Sequence, residues 1–113
     1  LRLISARLKT GCITNNVKAE PGADAWRSAK VDEAMALFHH VIESSKVGVR
    51  KPDPRIYAMM TDALRVEPAR CIYLDDLGIN LKPSRAMGMT TIKVETAEPA
   101  LKALELHLGI TLR

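Results

Sequence analysis

Aromatic side chains are scarce, with one Trp, two Tyr and one Phe in 113 residues. So few rings supply no platform for stacking bases, and the basic residues are scattered rather than gathered into a stripe. The formal charge of +4 therefore reads as a basic surface that welcomes small anionic substrates, and nucleic acid is not an expected partner. Cysteine is scarce too. Cys12 and Cys71 each sit in a short apolar run, with no second Cys or His at metal-ligand spacing, so both are expected as buried free thiols. Long apolar runs are absent: the longest are a few residues, against the roughly 20 needed to cross a bilayer. No basic-then-apolar signal segment opens the chain. A soluble, cytoplasmic protein without a membrane partner is the expectation.

What is present suits a globular domain. Hydrophobic residues make up 47% of the chain and both signs of charge are interspersed, which is enough for an apolar core and unlike a disordered segment. Residue 1 is Leu rather than Met, and Leu1, Ile4 and Leu8 lie on one face of what reads as the tail of a helix, so a preceding segment is expected.

Gly11-Cys12-Ile13-Thr14 reads as a short strand stopping at Asn15-Asn16. Lys18 to Lys30, with Pro21-Gly22, has no clear period and reads as a loop. Val31, Ala34, Met35 and Phe38 recur at helical spacing, after which His39 to Ile42 turns extended and β-branched. In Lys51-Pro52-Asp53-Pro54, Asp53 is a cap for a helix that opens with Pro54 at its first position. Ile56, Met59, Met60, Ala63 and Leu64 then form the stripe expected of a helix packed on a sheet.

Pro68 breaks that helix, and Cys71-Ile72-Tyr73-Leu74 is a compact apolar strand ending in Asp75-Asp76. Asn80 to Met87 predicts a short helix stopped by Gly88, Thr90 to Val94 a fourth strand, and Pro99 onward a helix burying Leu101, Leu104 and Leu108. Strands alternating with helices predict an α/β class with a parallel, Rossmann-like sheet flanked by helices.

Thr14 and Asp75-Asp76 end strands of such a sheet, and ligands bind at the carboxyl ends of parallel strands. Paired acids there suit Mg²⁺, a hard ion that takes oxygen ligands. A lysine and a hydroxyl with nearby amides suit phosphate oxygens. Each residue taken singly has a plainer reading: a solvated turn for the acids, a surface position for Lys51, a strand cap for Thr14, a helix cap for Asn80. Together they describe a phosphoryl site without its attacking group.

Thr14-Asn15-Asn16, Lys51-Pro52-Asp53-Pro54-Arg55-Ile56-Tyr57 and Leu74-Asp75-Asp76-Leu77-Gly78-Ile79-Asn80-Leu81-Lys82 resemble motifs two, three and four of the haloacid dehalogenase superfamily. The resemblance runs from about Lys9 to Leu108. It is nearest in character to the phosphatase-like amino-terminal domain of soluble epoxide hydrolases and to similar domains fused to acyl-CoA dehydrogenases. It implies that Thr14 binds the transferring phosphoryl group with Asn15 beside it, and that Lys51 balances the charge of nucleophile and phosphate. It also implies Mg²⁺ as cofactor, with Asp76 as a direct ligand, Asp75 as a direct or water-mediated one, and Asn80 in support. The substrate class implied is a small phosphorylated molecule.

The family's first motif is a strand ending in Asp-x-Asp, whose first aspartate attacks phosphorus. No Asp-x-Asp occurs in the chain, and Asp24, Asp32, Asp53 and Asp62 lie in loop or helix contexts. Residues 1–113 are therefore expected to be a partial core carrying motifs two, three and four, inactive alone, with the first-motif strand and the cap domain missing. That strand is central in the family, so three arrangements are open: the strands ending at Thr14 and Asp75 pair directly, a second chain fills the gap, or the missing segment is present but unseen. Open strand edges favour a homo-oligomer. Two other functions stand beside the aspartyl-phosphate phosphatase: a metal-free dehalogenase using the same nucleophile on carbon, and a non-catalytic interaction or regulatory half-domain.

Overall fold

A computed structural model describes residues 2–15 and 33–109 of the chain. The chain divides into two compact units, Leu1–Leu64 and Arg65–Arg113. The region from 16 to 32, with the expected loop and the start of the helix predicted from Val31, lies outside the described residues.

In the first unit, helix α1 (Arg2–Ser5) is a single turn. The helix expected to carry Leu1, Ile4 and Leu8 ends early: Arg7 and Leu8 both donate backbone N–H groups to the Ile4 carbonyl, closing a turn. Leu8, expected on the apolar face, is exposed. Strand β1 (Gly11–Thr14) ends where the sequence predicts, and residues 33–35 are helical before β2 (His40–Glu43). The two strands run parallel, with Gly11 opposite His40 and Thr14 opposite Glu43. A short helix α2 (Ser44–Val47) follows, stopped by Gly48.

Helix α3 (Pro54–Leu64) packs on both strands. Its buried face is rotated from the expected one: Ile56, Tyr57, Met60 and Thr61 face inward, while Met59 and Ala63 are exposed. Tyr57 is the reason the stripe turns, because a large ring gains more from burial than Met59 or Ala63. Thr61 can join it because its hydroxyl donates to the Ala58 carbonyl at 3.1 Å. Gly11 lets the helix come close, since a Cβ there would run into the Met60 side chain and lie 3.2 Å from Leu64.

In the second unit, a 3₁₀ turn at Pro68–Arg70 leads into β3 (Ile72–Asp75). Helix α4 (Gly78–Ala86) and strand β4 (Thr90–Lys93) follow, and β3 pairs parallel to β4 with Asp75 opposite Lys93. Gly88 turns the chain between them at a φ of 102°, a conformation that disfavours a side chain. Helix α5 (Ala97–Leu108) packs on β4 and buries Ala100 and Leu104. Leu101 and Leu108, expected beside Leu104, are half-buried. Leu81, Met89 and Ile92 complete this core.

The architecture is α/β with parallel strands, as the alternation of elements predicts. Among the described residues the ladders join β1 to β2 and β3 to β4. No helix among the described residues is long and apolar enough to cross a membrane.

Candidate functional site

Two groups of polar side chains sit at the carboxyl ends of strands, one group in each unit. In the first, β1 delivers Thr14 and then Asn15. The Asn15 side chain grips the peptide of Lys51: Oδ1 accepts from the Lys51 N–H at 2.8 Å and Nδ2 donates to the Lys51 carbonyl at 3.0 Å. The side chain of one strand-end residue thus places a residue 36 positions further along the chain. The next residues cap α3, as the sequence predicts: Asp53 Oδ1 accepts from the Arg55 N–H at 3.0 Å, and the Arg55 guanidinium closes on the same carboxylate at 2.7 Å. This ion pair and cap hold the Asp53 carboxyl at about 2, below its usual 3.8.

The Lys51 charge also acts on β1. Burial pushes the Cys12 thiol up, while the nearby Lys51 ammonium opposes that shift. Burial raises the Cys71 thiol as well. Both cysteines are free, and both are only half-buried rather than fully enclosed as the apolar runs predict. A raised thiol is a poor nucleophile at neutral pH.

In the second unit, β3 ends at Asp75, which is 8% exposed. That burial rules out a solvated turn for this acid. Its carboxylate is held by the chain's own donors: Tyr73 Oη at 2.6 Å, the Leu77 N–H at 3.0 Å, and Asn80 Nδ2 at 3.3 and 3.4 Å. Asn80 lies inside α4 and is buried, so it is no helix cap; it reaches back to Asp75. Asp76 follows on the surface. Two adjacent residues therefore have opposite environments, one fastened inside and one turned out.

Within each unit the structure brings the predicted residues together, Asn15 with Lys51 and Asp75 with Asn80. Tyr73 is the residue that sequence reasoning missed. A signal was available, since residues two apart on a strand share a face and Tyr73 stands two before Asp75.

The donor set at the end of β3 can be tested against a divalent cation. Among the described residues no three His, Cys, Asp or Glu side chains gather as a closed metal cage. Mg²⁺ does not ask for one, because it keeps several waters and takes one or two carboxylates together with phosphate oxygens. The hard oxygens of an exposed Asp76 beside Asp75 fit that requirement.

The pattern of the haloacid dehalogenase-like hydrolases matches residues 1–88. Bifunctional epoxide hydrolase 2 of Sus scrofa is 39% identical over 112 residues, covering 99% of this chain and 20% of that protein. A phosphatase of Mycobacterium tuberculosis is 31% identical over 88 residues, covering 78% of this chain and 39% of its own length. The chain thus spans well under half of either relative. A HAD family enzyme of Bacteroides thetaiotaomicron, solved with magnesium and inorganic phosphate, superposes with a TM-score of 0.51 at 26% identity, covering 55% of this chain and 31% of that one.

Proposed function

Because the chain belongs to the haloacid dehalogenase-like hydrolase family, we propose that it supplies the phosphate and metal ligands of a Mg²⁺-dependent phosphatase working through an aspartyl-phosphate. The observation that carries the reading is the strand end of β3, where a buried, four-times-bonded Asp75 stands next to an exposed Asp76. Asp76 is the direct ligand of the ion, Asp75 a direct or water-mediated one supported by Asn80, Thr14 binds the transferring phosphoryl group, and Lys51, placed by Asn15, offsets its charge. Bound Mg²⁺ would supply charge neutralisation at the phosphate oxygens, which is most of what phosphoryl transfer asks of a protein.

The attacking aspartate comes from outside these 113 residues, since no Asp-x-Asp occurs among them. By itself the chain is therefore a partial core without turnover. Its substrate is a small phosphorylated molecule. The phosphatase and the magnesium- and phosphate-bound enzyme among its relatives support this reading. Repulsion between the two acids does not decide the matter alone, because internal donors already satisfy Asp75; the metal reading rests on Asp76.

The test is Asp76→Asn in the full-length protein, with turnover of an aryl phosphate followed against Mg²⁺ concentration. Loss of Mg²⁺-dependent turnover with the fold retained is expected. Turnover equal to wild type would remove Asp76 from the metal site.

A further inference from the structure

Tyr73 has no part in the reading above, yet its hydroxyl bonds the Asp75 carboxylate at a shorter distance than Leu77 or Asn80 does. The bond from Tyr73 Oη to Asp75 Oδ2 is 2.6 Å, in the range of charge-assisted O–H···O bonds. The two Asn80 contacts are longer, at 3.3 and 3.4 Å, and the Leu77 amide is at 3.0 Å. Asp75 is buried, so its orientation is set by these donors rather than averaged by water. The donors come from both sides of the acid. Tyr73 lies in β3 before it, whereas Leu77 and Asn80 lie in the turn and helix after it.

A carboxylate tied in this way fastens the end of the strand to the start of α4. Asp76 is the single residue between Asp75 and Leu77, so its direction follows from how those two neighbours are held. We propose that Tyr73 is a positioning residue of the metal site, holding Asp75 and through it the β3–α4 turn in the geometry from which Asp76 takes a hard divalent cation. The inference rests on the metal reading of the proposed function. It adds a residue that acts on the cation through another side chain.

The experiment is Mg²⁺ binding to the full-length Tyr73→Phe protein by isothermal titration calorimetry without any phosphate present. Thermal unfolding is recorded alongside, without Mg²⁺ and at one fixed Mg²⁺ concentration. Phe keeps the ring and its packing and removes only the hydroxyl. Mg²⁺ affinity is expected to fall roughly tenfold, the lower end of what losing an outer partner of a metal ligand costs. The melting increment produced by the fixed Mg²⁺ concentration shrinks with it.

A hydroxyl that served packing alone would lower both melting temperatures equally and leave the Mg²⁺ affinity at its wild-type value, and that result would overturn the proposal. Asp76→Asn, run in parallel, separates the two levels. If Asp76→Asn loses Mg²⁺ while Tyr73→Phe binds it as wild type does, the role of Tyr73 fails alone. If Asp76→Asn binds Mg²⁺ like wild type, or wild type binds none, the metal reading fails and takes the inference with it.

Discussion

Asn15 holds Lys51 by the backbone, accepting from its N–H at 2.8 Å and donating to its carbonyl at 3.0 Å. One side-chain amide thus satisfies both polar groups of a single distant residue, and the flexible lysine stem starts from a fixed base.

Asn15→Ala removes both bonds. At a net 0.5–1.5 kcal/mol for a typical hydrogen bond, the loss of stability is about 1–3 kcal/mol, read from urea unfolding. Turnover in the full-length protein is expected to fall between about ten- and a hundredfold, because a catalytic group displaced by an ångström loses about that much. Asn15→Asp keeps the acceptor for the Lys51 N–H but faces its carbonyl with a second acceptor, so it is impaired too. Full activity in both variants would show that the clamp is dispensable.

Lys51→Ala takes away the cation itself. The expected loss in kcat is about 10²–10³-fold, comparable to removal of one preorganised electrostatic donor, with the fold unchanged by circular dichroism. Unchanged kinetics would take Lys51 out of the site.

Gly11→Val tests the close approach of α3 to β1. A side chain there meets Met60 and Leu64, so overpacking costs about 1–3 kcal/mol in urea unfolding. Met60→Ala in the Gly11→Val background opens space for the new side chain and is expected to recover part of that loss. Additive destabilisation by the two changes would place the contact elsewhere.

Asp53 carries a pH signature. Its folded value of about 2 lies below its usual 3.8, chiefly because of the Arg55 guanidinium and then the Arg55 backbone N–H. A depressed acid stabilises the folded state above its unfolded value, and that contribution is lost as pH falls from about 4 towards 2. Asp53→Asn is expected to flatten that part of the stability–pH curve, measured by urea midpoints at stepped pH. The group is only half-buried, so the effect is small and shrinks further with salt.

The alternation of elements, the strand ends at Thr14 and Asp75, and the Asp53 cap were legible in the sequence because each depends on neighbours a few residues away. So was the family, since three ordered motifs need no coordinates to be seen. Helix α3 shows where this stops. Periodicity finds its apolar side chains, but the buried stripe runs through Tyr57 and Thr61 rather than Met59 and Ala63, because facing strands choose which surface they cover. The hydroxyl of Thr61 becomes acceptable inside only once it bonds within its own helix.

The sites divide in the same way. The resemblance of three motifs to the family singled out Thr14, Asn15 and Lys51 for phosphate, Asp75 and Asp76 for the metal, and Asn80 in its support. Tertiary structure decided which of two adjacent acids is fastened inside and which is turned out, and that an asparagine from the end of β1 grips Lys51 by its peptide. Local chemistry is written in the order of the residues, whereas burial and long-range hydrogen bonds exist only after distant segments have met, so only folding determines which polar atoms water can still reach.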